Sequence, residues 1–149
     1  MKISKWWLLI PLVIFVGFVI LVYVKTSQVN REWGDGVKPE RLAGTVCTGR
    51  IGDSAARFHW SFTQSAFLIE ARESPIPQEV LDELVGKGRS AKKIEGKWQI
   101  KGISLILTDV IADDQPTGRD GRFYISEIIG IEITVPGDNR TGFRFERPK

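Results

Sequence analysis

The chain is poor in the residue types that build metal centres and disulfides. It has one cysteine, Cys47, and one histidine, His59, among 149 residues. A single cysteine cannot form an internal disulfide, so the folded part must be stabilised by its core alone. A lone histidine, without cysteine or further histidine, cannot build a typical zinc site. We therefore predict no metal ligands and no cofactor.

Motifs that mark catalysis are also missing. The sequence contains no G-x-S-x-G elbow, no glycine-rich phosphate loop and no dinucleotide fingerprint. Cys47 and His59 would act together only if the fold brought them into contact, which their spacing does not require, and a buried strand cysteine is favoured. We predict no catalytic residues. An enzyme stays an alternative, because carboxylates such as Glu70 and Glu132 could meet in space.

Charge is absent from Trp6 to Val24, a run of 19 residues with no polar face. As a helix this run would be ~28 Å long, close to the hydrocarbon thickness of a bilayer. A cleaved signal peptide is the alternative, but its apolar region is usually ~7–15 residues and ends at a small-residue site. We predict a single-pass transmembrane helix that acts as an uncleaved signal-anchor.

The predicted anchor divides the chain into four parts: a tail at 1–5, the transmembrane helix at 6–24, a polar tether at 25–43 and a β-rich domain at 44–149. Lys2 and Lys5 precede the anchor, and bases also follow it. A short tail commonly stays on the cytoplasmic side. We expect a membrane protein with a cytoplasmic N-terminus and an extracytoplasmic C-terminal domain.

The part after the anchor is nearly neutral. All 18 acidic residues lie there, together with all but two of the 21 lysines and arginines. The resulting net charge of about +1 gives no basic footprint, so we predict no nucleic-acid partner.

Hydrophobic periodicity indicates a mainly β body. Phe58, Trp60 and Phe62 alternate with polar residues, as in a strand with one buried face. The segment "SPIPQEVLDELVGKG" has helical spacing and predicts one short helix. Six or seven strands separated by turns predict a small antiparallel β-barrel or meander, with a two-sheet β-sandwich as the alternative.

One phrase carries a family resemblance. In "KWQIKGISLILT" the spacing is W-x-I-x-G-x-x-L-x-L-T, formed by Trp98, Ile100, Gly102, Leu105, Leu107 and Thr108. These eleven residues resemble a phrase in bacterial lipocalin-like (calycin-type) β-meander domains. In lipocalins a G-x-W signature lies near the start of the barrel, whereas Gly96 and Trp98 come late here. The resemblance implies a small antiparallel barrel or half-barrel and, at most, an apolar ligand inside it.

Two clusters of charge are candidate sites. Lys87, Arg89, Lys92 and Lys93 could contact an anionic surface, although a solvated loop after a helix is the alternative. Four aspartates lie around "DVIADDQPTGRDG", where oxygen ligands for calcium would be possible, but arginines are interspersed and a self-paired turn is favoured. These aspartates are Asp109, Asp113, Asp114 and Asp120. Asn139 starts an N-x-T glycosylation pattern, or simply lies in a turn.

The leading hypothesis is a membrane-anchored domain that binds or scaffolds an envelope protein partner. Its lipid partner is the bilayer around Trp6 to Val24. The alternative is lipocalin-like binding of an apolar small molecule or lipid inside the barrel. A barrel filled by its own side chains would leave no room for such a ligand.

Overall fold

The computed structural model describes residues 14–22, 36–50, 57–127, 129–137 and 142–149. The chain forms two compact units, Met1–Asp35 and Gly36–Lys149. Asn139 lies outside the described residues, so the expectation attached to it stays a prediction.

The first unit contains one described helix, α1, at residues 14–22. Its large apolar side chains are exposed, including Ile14, Phe15 and Phe18. In the described part of the chain, no helix is both long and apolar enough to cross a bilayer. The remainder of the predicted span, Trp6 to Val24, lies outside the described residues.

The second unit is mainly β, as predicted. Two short helices are described there, α2 at Pro39–Leu42 and α3 at Gln78–Leu84. The described strands are β1 Val46–Arg50, β2 Phe58–Phe62, β3 Ala66–Ala71, β4 Lys93–Lys101, β5 Ser104–Ala112, β6 Gln115–Pro116, β7 Gly121–Glu127, β8 Ile131–Thr134 and β9 Gly142–Glu146.

Eight of these strands close into an antiparallel barrel. Each pairs with the next along the chain, β5 pairs directly with β7, and β9 returns to pair with β1. The two-residue β6 pairs with β5 outside this ring. The predicted barrel is confirmed and the sandwich alternative is excluded. Its meander is compatible with a lipocalin-like fold.

The period-2 pattern of β2 has the predicted consequence. Phe58, Trp60 and Phe62 are buried, whereas His59 and Ser61 lie on the outer face. The phrase "KWQIKGISLILT" forms a hairpin: β4 and β5 are joined by a two-residue turn in which Gly102 has φ +60°. A positive φ is costly for a residue with a side chain, which explains the glycine.

Aromatic rings fill the barrel interior. The Trp60 ring centroid lies 5.2–5.9 Å from those of four phenylalanines. Trp60 and these phenylalanines are at most 2 % exposed. The four are Phe62, Phe123, Phe143 and Phe145. The edge-to-face orientations of most of these pairs favour tight packing over a void.

Each end of the barrel is covered by a helix. At the α3 end, Val80, Leu81 and Leu84 of α3 are buried. Leu84 packs directly on Gly121, where an added Cβ would overlap the Leu84 side chain. At the α2 end, Leu42 of α2 is fully buried and belongs to the hydrophobic core.

Residues 36–43, assigned to the tether from composition, fold with the body. Val37 and Leu42 are 4 % and 0 % exposed, and the amide of Gly44 donates to the carbonyl of Phe62 at 2.8 Å. Because polar residues surround these two apolar side chains in the sequence, composition alone does not identify the segment as part of the core. The compact unit accordingly starts at Gly36.

Candidate functional site

The predicted basic cluster lies between α3 and β4, at the α3 end. Lys87, Arg89 and Lys92 are exposed, and none of them has an ion pair within the described segments. Lys93 Nζ lies 2.7 Å from Glu95 Oε2, and this hydrogen bond raises the pKa of Lys93. The fold therefore keeps three cations available to an anion and pairs the fourth.

The position of this cluster is held by Asp113. Its carboxylate accepts hydrogen bonds from the backbone amides of Lys92, at 3.0 and 3.2 Å, and Lys93, at 2.9 Å. Asp113 and Asp114 both have positive φ, as the two central residues of a tight hairpin turn between β5 and β6 require. This acidic turn thus orders the start of β4.

An open groove of about 540 Å³ lies beside the basic cluster. Its floor is apolar, since Phe58, Ile76 and Leu81 are at most 5 % exposed. Its polar lining includes Ser90, which lies in sequence between Arg89 and Lys92, and Gln78 at the start of α3. The groove could hold an apolar side chain from outside, with polar groups around it.

Two arginines give this groove a basic rim. Arg50 ends β1 and Arg57 immediately precedes β2, so both lie at the α3 end. Arg50 is held 3.0 Å from Glu79 Oε1 and 5.7 Å from the Phe143 ring centroid. Arg57 is exposed, and the described residues offer it no ion pair.

Sequence reasoning missed both arginines. They flank the β1–β2 connection, far in sequence from Lys87 and Arg89. The available signal was topological: in a meander, alternate connections lie at the same end, so the β1–β2 and β3–β4 connections meet.

The thiol and the imidazole do not meet. Cys47 is buried on the inner face of β1, whereas His59 lies on the outer face of β2. Burial raises the pKa of the Cys47 thiol to about 11, against a smaller opposing effect of its hydrogen bond to Gly49. Partial burial, and secondarily the charge of Arg72, lowers the pKa of His59. The His59 Nε2 atom lies 3.1 Å from Ser61 Oγ, on an open strand surface.

The carboxylates named from sequence are also dispersed. Asp109 pairs with Lys97 at 2.8 Å, and Glu132 with Arg144 at 3.3 Å. Glu70 on β3 is separated from Glu132 on β8 by three intervening strands. No group of three or more histidine, cysteine or acidic side chains suited to a metal ion occurs in the ranges that the structure describes.

The groove and the basic cluster together form the candidate site. Comparison with models of known protein families, with curated protein sequences and with solved structures finds no match for this chain.

Proposed function

We propose that this protein is a single-pass membrane protein whose barrel binds a protein partner on its outer surface. The N-terminus is cytoplasmic and the barrel is extracytoplasmic. Support for the anchor comes from the uncharged run Trp6 to Val24, which matches the bilayer thickness. Support for binding on the outer surface comes from the filled interior, which leaves no space for a ligand inside the barrel.

The ring packing around Trp60 is the observation that carries the proposal. Lipocalin-like domains hold apolar ligands inside the barrel, but here the corresponding space is occupied by side chains that are at most 2 % exposed. Opening the interior to a ligand would expose these rings to water, at a free-energy cost of ~25 cal/mol per Å² of apolar surface. Recognition on the outside needs no such rearrangement.

The groove at the α3 end suits an acidic segment of a partner protein that carries one apolar anchor residue. The partner's apolar residue would pack on Ile76 and Leu81. The partner's carboxylates would contact Arg57 and the basic cluster. An anchor in a desolvated pocket supplies affinity, and complementary charge favours the correct partner.

Site-specific photocrosslinking in cells tests this proposal. A photoreactive phenylalanine analogue replaces Gln78 in the groove or, as the matched control, Gln99, which is exposed on the outer face of β4. We expect a discrete protein adduct from position 78 and none from position 99. Arg57→Glu removes the adduct and Arg57→Lys retains it, because the contact needs the positive charge.

Equal adducts at both positions, or an adduct insensitive to Arg57→Glu, would contradict the groove as the binding site. Saturable binding of a fatty acid inside the barrel would instead support the lipocalin-like alternative.

A further inference from the structure

We propose that the α2 end of the barrel rests on the lipid bilayer, with the apolar tips of two adjacent hairpins inserted among the head groups. These tips are Ile103, in the β4–β5 turn, and Ile129, in the β7–β8 turn. The proposal deepens the proposed function and rests on its membrane anchor.

Exposed apolar area is concentrated at this end. Among the described residues of Gly36–Lys149, the exposed large hydrophobic side chains are Ile129 at 93 %, Ile103 at 54 % and Tyr124 at 46 %. Ile103 and Tyr124 lie side by side, since the amide of Ile125 donates to the carbonyl of Ile103 at 2.9 Å and Tyr124 pairs with Ser104. Ile129 lies at the end of the adjacent β7–β8 hairpin. An isolated exposed isoleucine is ordinary, but adjacent apolar tips form an interaction surface.

The identity of the turn residues points the same way. Tight turns normally carry glycine, proline, asparagine or aspartate. The α3 end follows this rule with Asp113 and Asp114 after β5, and with Pro136 and Gly137 after β8. The two α2-end turns satisfy the rule with Gly102 and Gly130, but each also holds an exposed isoleucine, Ile103 or Ile129. The remaining α2-end turn, residues 63–65, is polar, so the apolar surface occupies one side of this end.

Shape favours insertion of the β7–β8 tip. β5 and β7 pair only as far as Ser104 with Tyr124, whereas β7 and β8 continue together to Glu127 with Ile131. The β7–β8 hairpin therefore projects past the last pairing with β5, and Ile129 is at its tip. Projecting apolar residues can enter the head-group region while the closed barrel stays outside.

Charge at the β4–β5 tip suits an anionic bilayer. Lys101 immediately precedes the Gly102–Ile103 turn, is exposed, and has no ion pair among the residues that the structure describes. A base beside an apolar tip gains from the negative surface potential of anionic lipids, within the Debye length.

The chain enters the barrel at the same place. The backbone of Gly36 lies against the carbonyl of Gly102, so that an added Cβ would overlap it. Only residues 25–35 separate this point from the end of the predicted span at Val24. Eleven residues reach ~40 Å at most when fully extended, and a linker this short would let the α2 end contact the lipid beside the proposed anchor. The groove at the α3 end then faces away from the bilayer.

Labelling of the full-length chain tests the contact. Ile129→Cys and Ile103→Cys are each modified with an environment-sensitive fluorophore, and Asp114→Cys at the α3 end is the control. Cys47 is buried, so the unmodified chain serves as the labelling blank. Each protein is reconstituted into phosphatidylcholine vesicles, with or without phosphatidylglycerol, and flotation establishes its insertion.

We expect blue-shifted emission at positions 129 and 103, and several-fold stronger quenching by head-group-proximal lipid quenchers than at position 114. Adding phosphatidylglycerol strengthens the quenching, and Lys101→Gln removes this increase. If the chain floats but positions 129 and 114 behave alike, the lipid contact is disproved while the anchor stands. Blue-shifted emission without lipid quenching would indicate a protein contact and overturn the proposal. If the chain does not float, anchor and contact both fail.

Discussion

At the scale of single residues, Trp60 is central to the filling of the barrel interior. It is fully buried, and its Nε1 atom has no hydrogen-bond partner among the described residues. Its neighbours are aromatic rings, whose faces are weak acceptors. The indole N–H group of Trp60 therefore lacks a strong hydrogen bond, although the large ring fills the centre of the barrel.

Truncating this ring should be among the most damaging single changes. We expect Trp60→Ala to lower the free energy of unfolding by about 3–5 kcal/mol, because it removes buried apolar area and leaves a cavity. Denaturant titration of the full-length chain in mild detergent, followed by circular dichroism, measures the change.

His59→Ala, on the outer face of the same strand, is the control and should shift stability by about 0.5 kcal/mol or less. A Trp60→Ala protein as stable as this control would mean that the interior is loosely packed.

At the scale of elements, a β-bulge keeps the inner face of β5 continuous. Leu105, Leu107 and Val110 are all buried, although their spacing breaks the alternation. The register between β4 and β5 shifts at Gly96, and Asp109 has φ +52°. The extra residue of the bulge turns Val110 back toward the core.

The bulge requires glycine at position 96. An added Cβ would lie 2.6 Å from the Thr108 carbonyl oxygen, 2.8 Å from Phe67 Cε1 and 3.0 Å from the Asp109 carbonyl oxygen. We expect Gly96→Ala to destabilise the barrel by about 1–3 kcal/mol through overpacking.

Gly130→Ala is the matched control for the same denaturant titration. Neither glycine has a positive φ, and an added Cβ at Gly130 would have open space around it. Equal stabilities for the two variants would show that the strands can separate at the bulge without cost.

Local patterns predicted most elements correctly. The alternation around Trp60 and the helical spacing of Val80, Leu81 and Leu84 are properties of short windows, and both identify the buried face. The closure of β9 onto β1 joins segments about a hundred residues apart, and no window contains that information.

The features missed from sequence share a physical cause. The predicted six or seven strands fall short of the eight that close the barrel. One reason is that the turn between β7 and β8 contains Ile129 rather than polar turn residues, so no polar turn separates these two strands in the sequence. Residues 36–43 appeared to be tether, because Leu42 is surrounded by charge. The basic rim was missed because Arg57 and the segment at Ser90 are far apart in sequence and line one groove only in the folded barrel.

At the scale of the whole molecule, the two barrel ends differ in character. The α2 end has apolar hairpin tips and receives the chain at Gly36. The α3 end has the groove, Arg57 and the basic cluster. The filled barrel separates these two ends, so the proposed lipid contact and the proposed partner site lie on opposite ends of one domain.

Side chains fill the barrel interior, and quenching of the two buried tryptophans tests this filling most directly. In a full-length chain with Trp6, Trp7 and Trp33 replaced by Phe, emission comes only from Trp60 and Trp98. Titration with a brominated fatty acid should give no saturable quenching, because aromatic rings occupy the space such a ligand needs. Saturable quenching at one equivalent of ligand, removed by competing unbrominated fatty acid, would contradict the account.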